Sequence, residues 1–299
     1  SPIRISVSPA VLFYTLSTSI TYSRRRYYGE HRTKITIWIP SFVITFATPK
    51  NRNLSNYNEE KHSWHSPILG LNIEMLTFGT GGFPIILFPT SMGMHNENKD
   101  FKLIEAIGWF IDNGMVKVYC PDSIDKHSWY NKDAAPEYRV KNHMLYDRML
   151  MEELYPRMKE ETGFSRIGTA GCSFGGYHAM NFGLRHPNVT AAIFSMAAKF
   201  DIRDQMDGVY NDDVYYNNPV DFINDLQDPW LWKSQIFLGS AEYDMCLDSN
   251  YKMAHVLGTK HVPHLLDVKP GEKHDWPCWR QQFPYFLSLL DMEKAKETI

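Results

Sequence analysis

From about residue 66 the chain alternates short apolar runs with segments whose apolar residues recur at helical spacing. NIEMLTFG (72–79) and FPIILFPT (83–90) have strand composition, and Thr80-Gly81-Gly82 between them reads as a hairpin-like turn. KDFKLIEAIGWFIDNG (99–114) has helical periodicity and ends on Gly114, a C-cap signal. MVKVYC (115–120) reads as a strand. A long helix is expected over about 136–162, with Leu145, Met149, Leu154 and Met158 near one face and a possible kink at Pro156. RIGTAGC (166–172) and TAAIFSM (190–196) follow as strands, the second apolar enough to be buried on both faces of a parallel sheet. Residues 200–232 are polar and aromatic without long periodic runs and read as an inserted cap or loop. SQIFLGS (234–240), a helix from about 248, PHLLDV (263–268) and a helix from about 276 complete the pattern. After the opening hairpin, strands and helices alternate, which predicts an α/β fold with a mostly parallel sheet, right-handed crossovers and helices on both faces.

Composition agrees with one large folded unit. Hydrophobic residues make up 43% of the 299 positions and aromatic residues 14%, enough for a sizeable core. The formal charge of −3 gives no basic surplus for a nucleic-acid partner. The charge is uneven, however. Residues 1–60 carry a net charge of about +5 and the remainder about −8. Three readings of residues 1–60 stay open: an Arg- and Ser-rich targeting segment, an added strand region built on TKITIWIP (33–40) and FVITFATP (42–49), or a loosely ordered extension. The extension is preferred, so the folded domain is expected over 61–299. The apolar stretches in the first sixty residues are short and interrupted, so no membrane span is expected. Cys120, Cys172, Cys246 and Cys278 form no C-x-x-C pair, which points to free thiols and a cytoplasmic location. The pairs His62/His65 and His261/His264 complete no known metal motif, and no metal is expected.

The chemistry begins at GCSFGGYH (171–178). Gly171-Cys172-Ser173-Phe174-Gly175 is a G-x-S-x-G pattern between a predicted strand and a predicted helix. That is the context of a nucleophile elbow, in which flanking glycines permit a sharp turn and the helix N-terminus faces developing negative charge. A glycine-rich turn without chemistry is the bland alternative. A serine nucleophile needs a base and an acid, in the chain order Ser, Asp or Glu, His. Ala241-Glu242-Tyr243-Asp244 follows one strand and Lys269-Pro270-Gly271-Glu272-Lys273-His274 follows the next. His274 is the expected general base, and Asp244 the preferred acid with Glu242 as its rival. Asp275, adjacent to the base, fits better as N-cap of the last helix, with Pro277 in its first turn. His178 projects to another face of the helix and reads as a packing residue. His186, His261 and His264 likewise read as structural.

An oxyanion requires backbone donors. The N–H of Phe174 is one candidate and that of Ser91, after strand FPIILFPT, the other, with Met92 close behind. The loop Asp122–Asn131 should border the pocket, because ligands of open α/β sheets sit at the carboxyl ends of strands. Trp129 or Tyr130 is expected to line it, with Met92 as a further pocket candidate, although aromatic residues that only pack are a nearly equal reading.

Five stretches carry a resemblance to known proteins: ILFPTSMG (86–93), CPDSIDKHSWYN (120–131), AGCSFGGYHAMNFGLRHP (170–187), FLGSAEYDMCLDSN (237–250) and GEKHDWPCWRQQFPYF (271–286). Together they resemble the esterase branch of the α/β-hydrolases that includes esterase D, S-formylglutathione hydrolases, feruloyl esterases and antigen 85-like mycolyltransferases. The resemblance implies the three-layer α/β-hydrolase sandwich and a serine hydrolase or acyltransferase without a cofactor. It carries over Ser173 and His274, while either carboxylate of AEYD could supply the acid. Residues 1–60 match nothing in that group. The expected function is hydrolysis of a small-molecule carboxylic ester. Acyl transfer through the same triad, or ligand binding on a catalytically silent hydrolase scaffold, are the alternatives.

Overall fold

A computed structural model describes residues 57–297. The candidate strands at 33–40 and 42–49 lie outside the described residues. Eight strands form one sheet in the order β1-β2-β4-β3-β5-β6-β7-β8. They are β1 (Glu59–Ser66), β2 (Leu71–Phe78), β3 (Phe83–Phe88), β4 (Val116–Pro121), β5 (Ile167–Cys172), β6 (Thr190–Met196), β7 (Gln235–Tyr243) and β8 (His264–Lys273). β2 runs antiparallel to both β1 and β4, and every pairing from β4 through β8 is parallel.

Alternation along the central strands explains the three layers. In β3, Ile85 and Leu87 join the core on one face while Ile86 and Phe88 join the core on the other. In β6, Phe194 and Ile193 divide in the same way. Successive side chains of a strand point to opposite faces, so a strand that is apolar throughout must be covered on both. The helix Trp276–Leu289 covers one face with Phe283, Phe286 and Leu287. Helices Pro136–Met149, Phe174–Arg185 and Leu247–Thr259 contribute Tyr146, Phe182 and Met253 to the other face.

Three sequence expectations change. β2 and β3 do not form a hairpin, because β4 lies between them. The connecting turn instead passes the amino end of β4: a Cβ on Gly82, whose φ is +96°, would lie 2.4 Å from the Gly114 carbonyl oxygen. The reason is burial. All six residues of β3 are buried, and it takes parallel neighbours on both edges, whereas the antiparallel β2 pairs with β1 through the turn before Gly70. Strand β1 begins at Glu59. Its largely exposed EEKHSWHS sequence lies at the sheet edge and lacks an apolar pattern to announce it.

The helix expected over 99–114 is broken into Glu97–Asp100, Leu103–Ala106 and Gly108–Asp112, with Lys102 left-handed at φ 64°. The break lets Phe101 stack on Trp276 while Leu103 and Ile104 enter the core. The stretch still ends at Gly114 in the left-handed region. In the long helix the irregularity precedes Pro156. A π-helical turn, Leu150–Leu154, joins Pro136–Met149 to Tyr155–Thr162. Pro156 has no N–H to return to the preceding turn, and the widened turn takes up that interruption.

Candidate active site

Strands β3 to β8 are parallel, so their carboxyl ends lie along one edge of the sheet, and the candidate groups all follow those ends. β5 ends at Cys172, and Ser173 stands between strand and helix at φ 54°, ψ −122°. A non-glycine residue is held there only when its surroundings impose it. The surroundings are tight. A Cβ on Gly171 would lie 2.3 Å from the backbone of Gly175, and one on Gly175 would lie 2.4 Å from the Pro89 carbonyl oxygen. Both positions therefore require glycine on packing grounds, and their close approach sets the turn.

Ser173 Oγ lies 2.9 Å from His274 Nε2, and His274 Nδ1 lies 2.8 Å from Asp244 Oδ1. With the ring proton on Nδ1, His274 donates to Asp244 and accepts from the Ser173 hydroxyl. Asp244 is buried, and it also accepts from the Ser240 hydroxyl at 3.0 Å and the Cys246 N–H at 2.7 Å. Burial opposes its ionisation, but these donors and the nearby imidazole prevail and hold its pKa below the usual value. For His274, burial again opposes charge. Hydrogen bonding to Asp244, the neighbouring Cys246 and the Asp244 charge outweigh it, raising the pKa to about 9.

Glu242 is exposed and accepts the Gly271 N–H at 2.7 Å, so it ties down the loop leading to His274 and does not reach its ring. Asp275 caps the helix Trp276–Leu289 through the Trp276 N–H, with Pro277 in the first turn. Other residues of HDWPCWR pack around His274 or tie down the helix that follows it. Trp279 meets the His274 ring edge-to-face at 5.2 Å, and Arg280 donates to the Phe101 carbonyl.

Ser91, Tyr130, Phe174 and His274 border a cavity of about 210 Å³ that opens on Ser173. Asp201, Ile202, Asp204 and Gln205, at the start of the segment read as a cap, form its far wall with Lys199, Met245 and Cys246. Two of the pocket candidates need correction. Trp129 is fully buried beside Tyr177 and His143 and does not reach the cavity, because its neighbour Tyr130 takes the outward position. Met92 does not border the cavity either. Its side chain is exposed, and its N–H donates to Asp125 Oδ2 at 3.0 Å. That amide is already committed. The N–H groups of Ser91 and Phe174 donate to no protein acceptor among the described residues.

A larger cavity, about 570 Å³, lies away from these groups, between β1 and the π-helical turn, and is bordered by His62, Trp64, Glu153 and Arg157. His62 and His65 meet Thr77 and Asn72 respectively, and His264 bonds the Val262 carbonyl. His186 meets Asp147 at 2.9 Å. Two groups among the described residues gather three potential metal ligands, Asp244 with Cys246 and His274, and Glu74 with His95 and Asp122. In each, the histidine is already hydrogen-bonded to a carboxylate. All four cysteines are free.

No protein-family model matches the chain, and no curated protein matches it in sequence. Solved structures do match. A ferulic acid esterase superposes with a TM-score of 0.64 at 17% identity, over 78% of this chain and 97% of its own. An S-formylglutathione hydrolase from Agrobacterium tumefaciens gives 0.65 at 13%, over 81% and 96%. A fluorophosphonate-binding serine hydrolase of Staphylococcus aureus gives 0.60 at 17%, over 81% and 99%. The fold is that of the α/β-hydrolases.

One pair near the candidate site was underrated in the sequence. His178, expected only to pack, is buried and meets Asp125 Oδ1 at 2.9 Å. Asp125 had not been singled out. The available signal was an acidic residue in the loop after β4 and a histidine on the helix after the elbow. Nothing local links positions 53 residues apart.

Proposed function

We propose that the protein is a serine esterase that hydrolyses small-molecule carboxylic esters without a cofactor, through an acyl-enzyme on Ser173. The observation that carries this reading is the unbroken relay from Ser173 Oγ to His274 Nε2 and from His274 Nδ1 to Asp244. Structural likeness to ferulic acid esterases and S-formylglutathione hydrolases supports the reaction class.

His274 takes the hydroxyl proton as Ser173 Oγ adds to the acyl carbon. The tetrahedral oxyanion accepts hydrogen bonds from the N–H groups of Phe174 and Ser91. Asp244 orients the ring and stabilises the imidazolium. His274 then passes the proton to the departing alkoxide, leaving alcohol and acyl-Ser173. Water repeats the sequence in reverse: His274 takes its proton, oxygen adds to the acyl carbon, and Ser173 leaves with the proton. Ester and water have become acid and alcohol. Among the described residues, no helix is long and apolar enough to cross a membrane.

Aryl acetate turnover with fluorophosphonate labelling tests the reading. Turnover and labelling of the intact protein, both abolished in Ser173→Ala, are expected. A Ser173→Ala protein that keeps full activity would reject the mechanism. Product analysis with added alcohols separates hydrolysis from acyl transfer.

A further inference from the structure

We propose that Asp125 is a positioning residue for the oxyanion site: its carboxylate holds the Met92 N–H and thereby leaves the Ser91 N–H as the free donor of its loop. This rests on the esterase reading of Ser173.

Three consecutive amides follow β3, and the structure treats them differently. The Thr90 N–H donates to Glu97 Oε2 at 2.6 Å, and the Thr90 hydroxyl donates to the other oxygen of the same carboxylate. The Met92 N–H donates to Asp125 Oδ2 at 3.0 Å. Between them, the Ser91 N–H has no protein acceptor among the described residues. Two carboxylates thus take the outer amides and spare the middle one. The Ser91 side chain is held as well, since the Tyr130 hydroxyl donates to its Oγ at 2.8 Å.

The arrangement has a conformational cost. Met92 lies at φ 62°, in the left-handed region that residues with a Cβ seldom adopt. A hydrogen bond to an ionised group is strong enough to offset that cost. Asp125 can hold the amide firmly because it is itself fixed. It is fully buried, and its second oxygen meets His178 Nε2 at 2.9 Å. His178 belongs to the helix that begins at Phe174, and its ring lies edge-to-face against the Phe174 ring at 5.0 Å. The Asp125–His178 hydrogen bond therefore connects the loop after β3, the loop after β4 and the helix that begins at Phe174, which between them carry both candidate donors. A single buried hydrogen bond adds only about 1 kcal/mol of net stability. Its value here lies in geometry.

The test compares kcat and KM of the full-length protein with Asp125→Ala and Asp125→Asn, using an aryl acetate. Losing one oxyanion donor costs roughly 100-fold or more in kcat. Folded Asp125→Ala, checked by circular dichroism and thermal melting, is expected to lose about that factor while KM stays within about twofold. Asp125→Asn keeps the shape and an acceptor oxygen, and should recover kcat to within about tenfold of the native protein. A trifluoromethyl ketone, whose tetrahedral adduct needs the same donor, should lose affinity in parallel with kcat. A folded Asp125→Ala with kcat close to native, or a loss confined to KM, overturns the proposal. Hydrogen exchange of the native protein needs no variant: the Met92 amide should be protected, and exchange at the unprotected rate also overturns it. If the native protein neither turns over esters nor labels at Ser173, the esterase reading itself fails. A native enzyme that is active and insensitive at Asp125 rejects only the positioning role.

Discussion

Asp244 stands 2.8 Å from the Nδ1 of His274, while Glu242, two residues earlier, turns away to the Gly271 N–H. The two carboxylates therefore have separable tasks. Asp244→Asn should leave the fold intact and lower kcat by about 10³- to 10⁴-fold, because the amide no longer holds the ring in its reactive tautomer. Glu242→Gln, which keeps an acceptor for Gly271, should change kcat less than about threefold. Steady-state kinetics of both variants decide it. A larger loss in Glu242→Gln than in Asp244→Asn would reverse the assignment.

The pH profile follows from the same pair. In the proposed mechanism His274 acts as a base only when neutral, and its environment raises its pKa to about 9. Below that value the ring is increasingly protonated, so kcat/KM should climb with rising pH along a limb displaced well above an ordinary imidazole. Replacing Asp244 by Asn removes the leading cause of the upward shift and should move the limb down towards the ordinary value near 6.5. A native limb at or below 6.5 would show that the His274 pKa is not raised.

The elbow glycines make a stability prediction. In Gly175→Ala the new methyl would meet the Pro89 carbonyl oxygen at 2.4 Å and the Phe88 carbonyl oxygen at 2.8 Å. These are backbone atoms of a central strand end and cannot move aside as a flexible side chain could. Overpacking costs about 1–3 kcal/mol, occasionally more. Urea unfolding of Gly175→Ala should show a loss at or above the upper end of that range, with activity lost as Ser173 shifts. A variant as stable and active as the native protein would mean that the turn is looser than described.

Much of this site was legible because the decisive signals are local. TAAIFSM coincides with β6, and RIGTAGC differs from β5 by one residue, since both are short runs of mainly small and apolar residues, of strand length and too short for a helix. Ser173, Asp244 and His274 each follow a strand, although β7 and β8 run on past the apolar runs at 234–240 and 263–268 to Tyr243 and Lys273. Strand order was less legible. A glycine turn between two strands looks the same whether they pair or a third strand enters between them, and β4 arrives from more than thirty residues downstream. The choice between Glu242 and Asp244 depended on where β7 ends and on the Ser240 and Cys246 donors that orient Asp244. Trp129 and Tyr130 are neighbours of similar character, and only the packing against Tyr177 and Phe174 sends one inward and the other to the cavity.

The cavity predicts acyl preference. At about 210 Å³ it falls below the roughly 300–1,000 Å³ common for ligand pockets. Phe174, Ile202 and Met245 give it an apolar portion, while Lys199, Asp201 and Asp204 place charge on the wall. An acetyl or propionyl group can be enclosed there with its carbonyl at Ser173. A long chain would have to pass the charged wall and forgo its desolvation gain of about 0.8 kcal/mol per buried CH₂. In a series of p-nitrophenyl esters, kcat/KM should therefore peak at two to four acyl carbons and fall by at least about tenfold at eight, a difference of roughly 1.4 kcal/mol. Truncating the wall with Met245→Ala should narrow that difference by making room beside Cys246. Efficiency that rises steadily with chain length would show that the acyl group does not bind in this cavity.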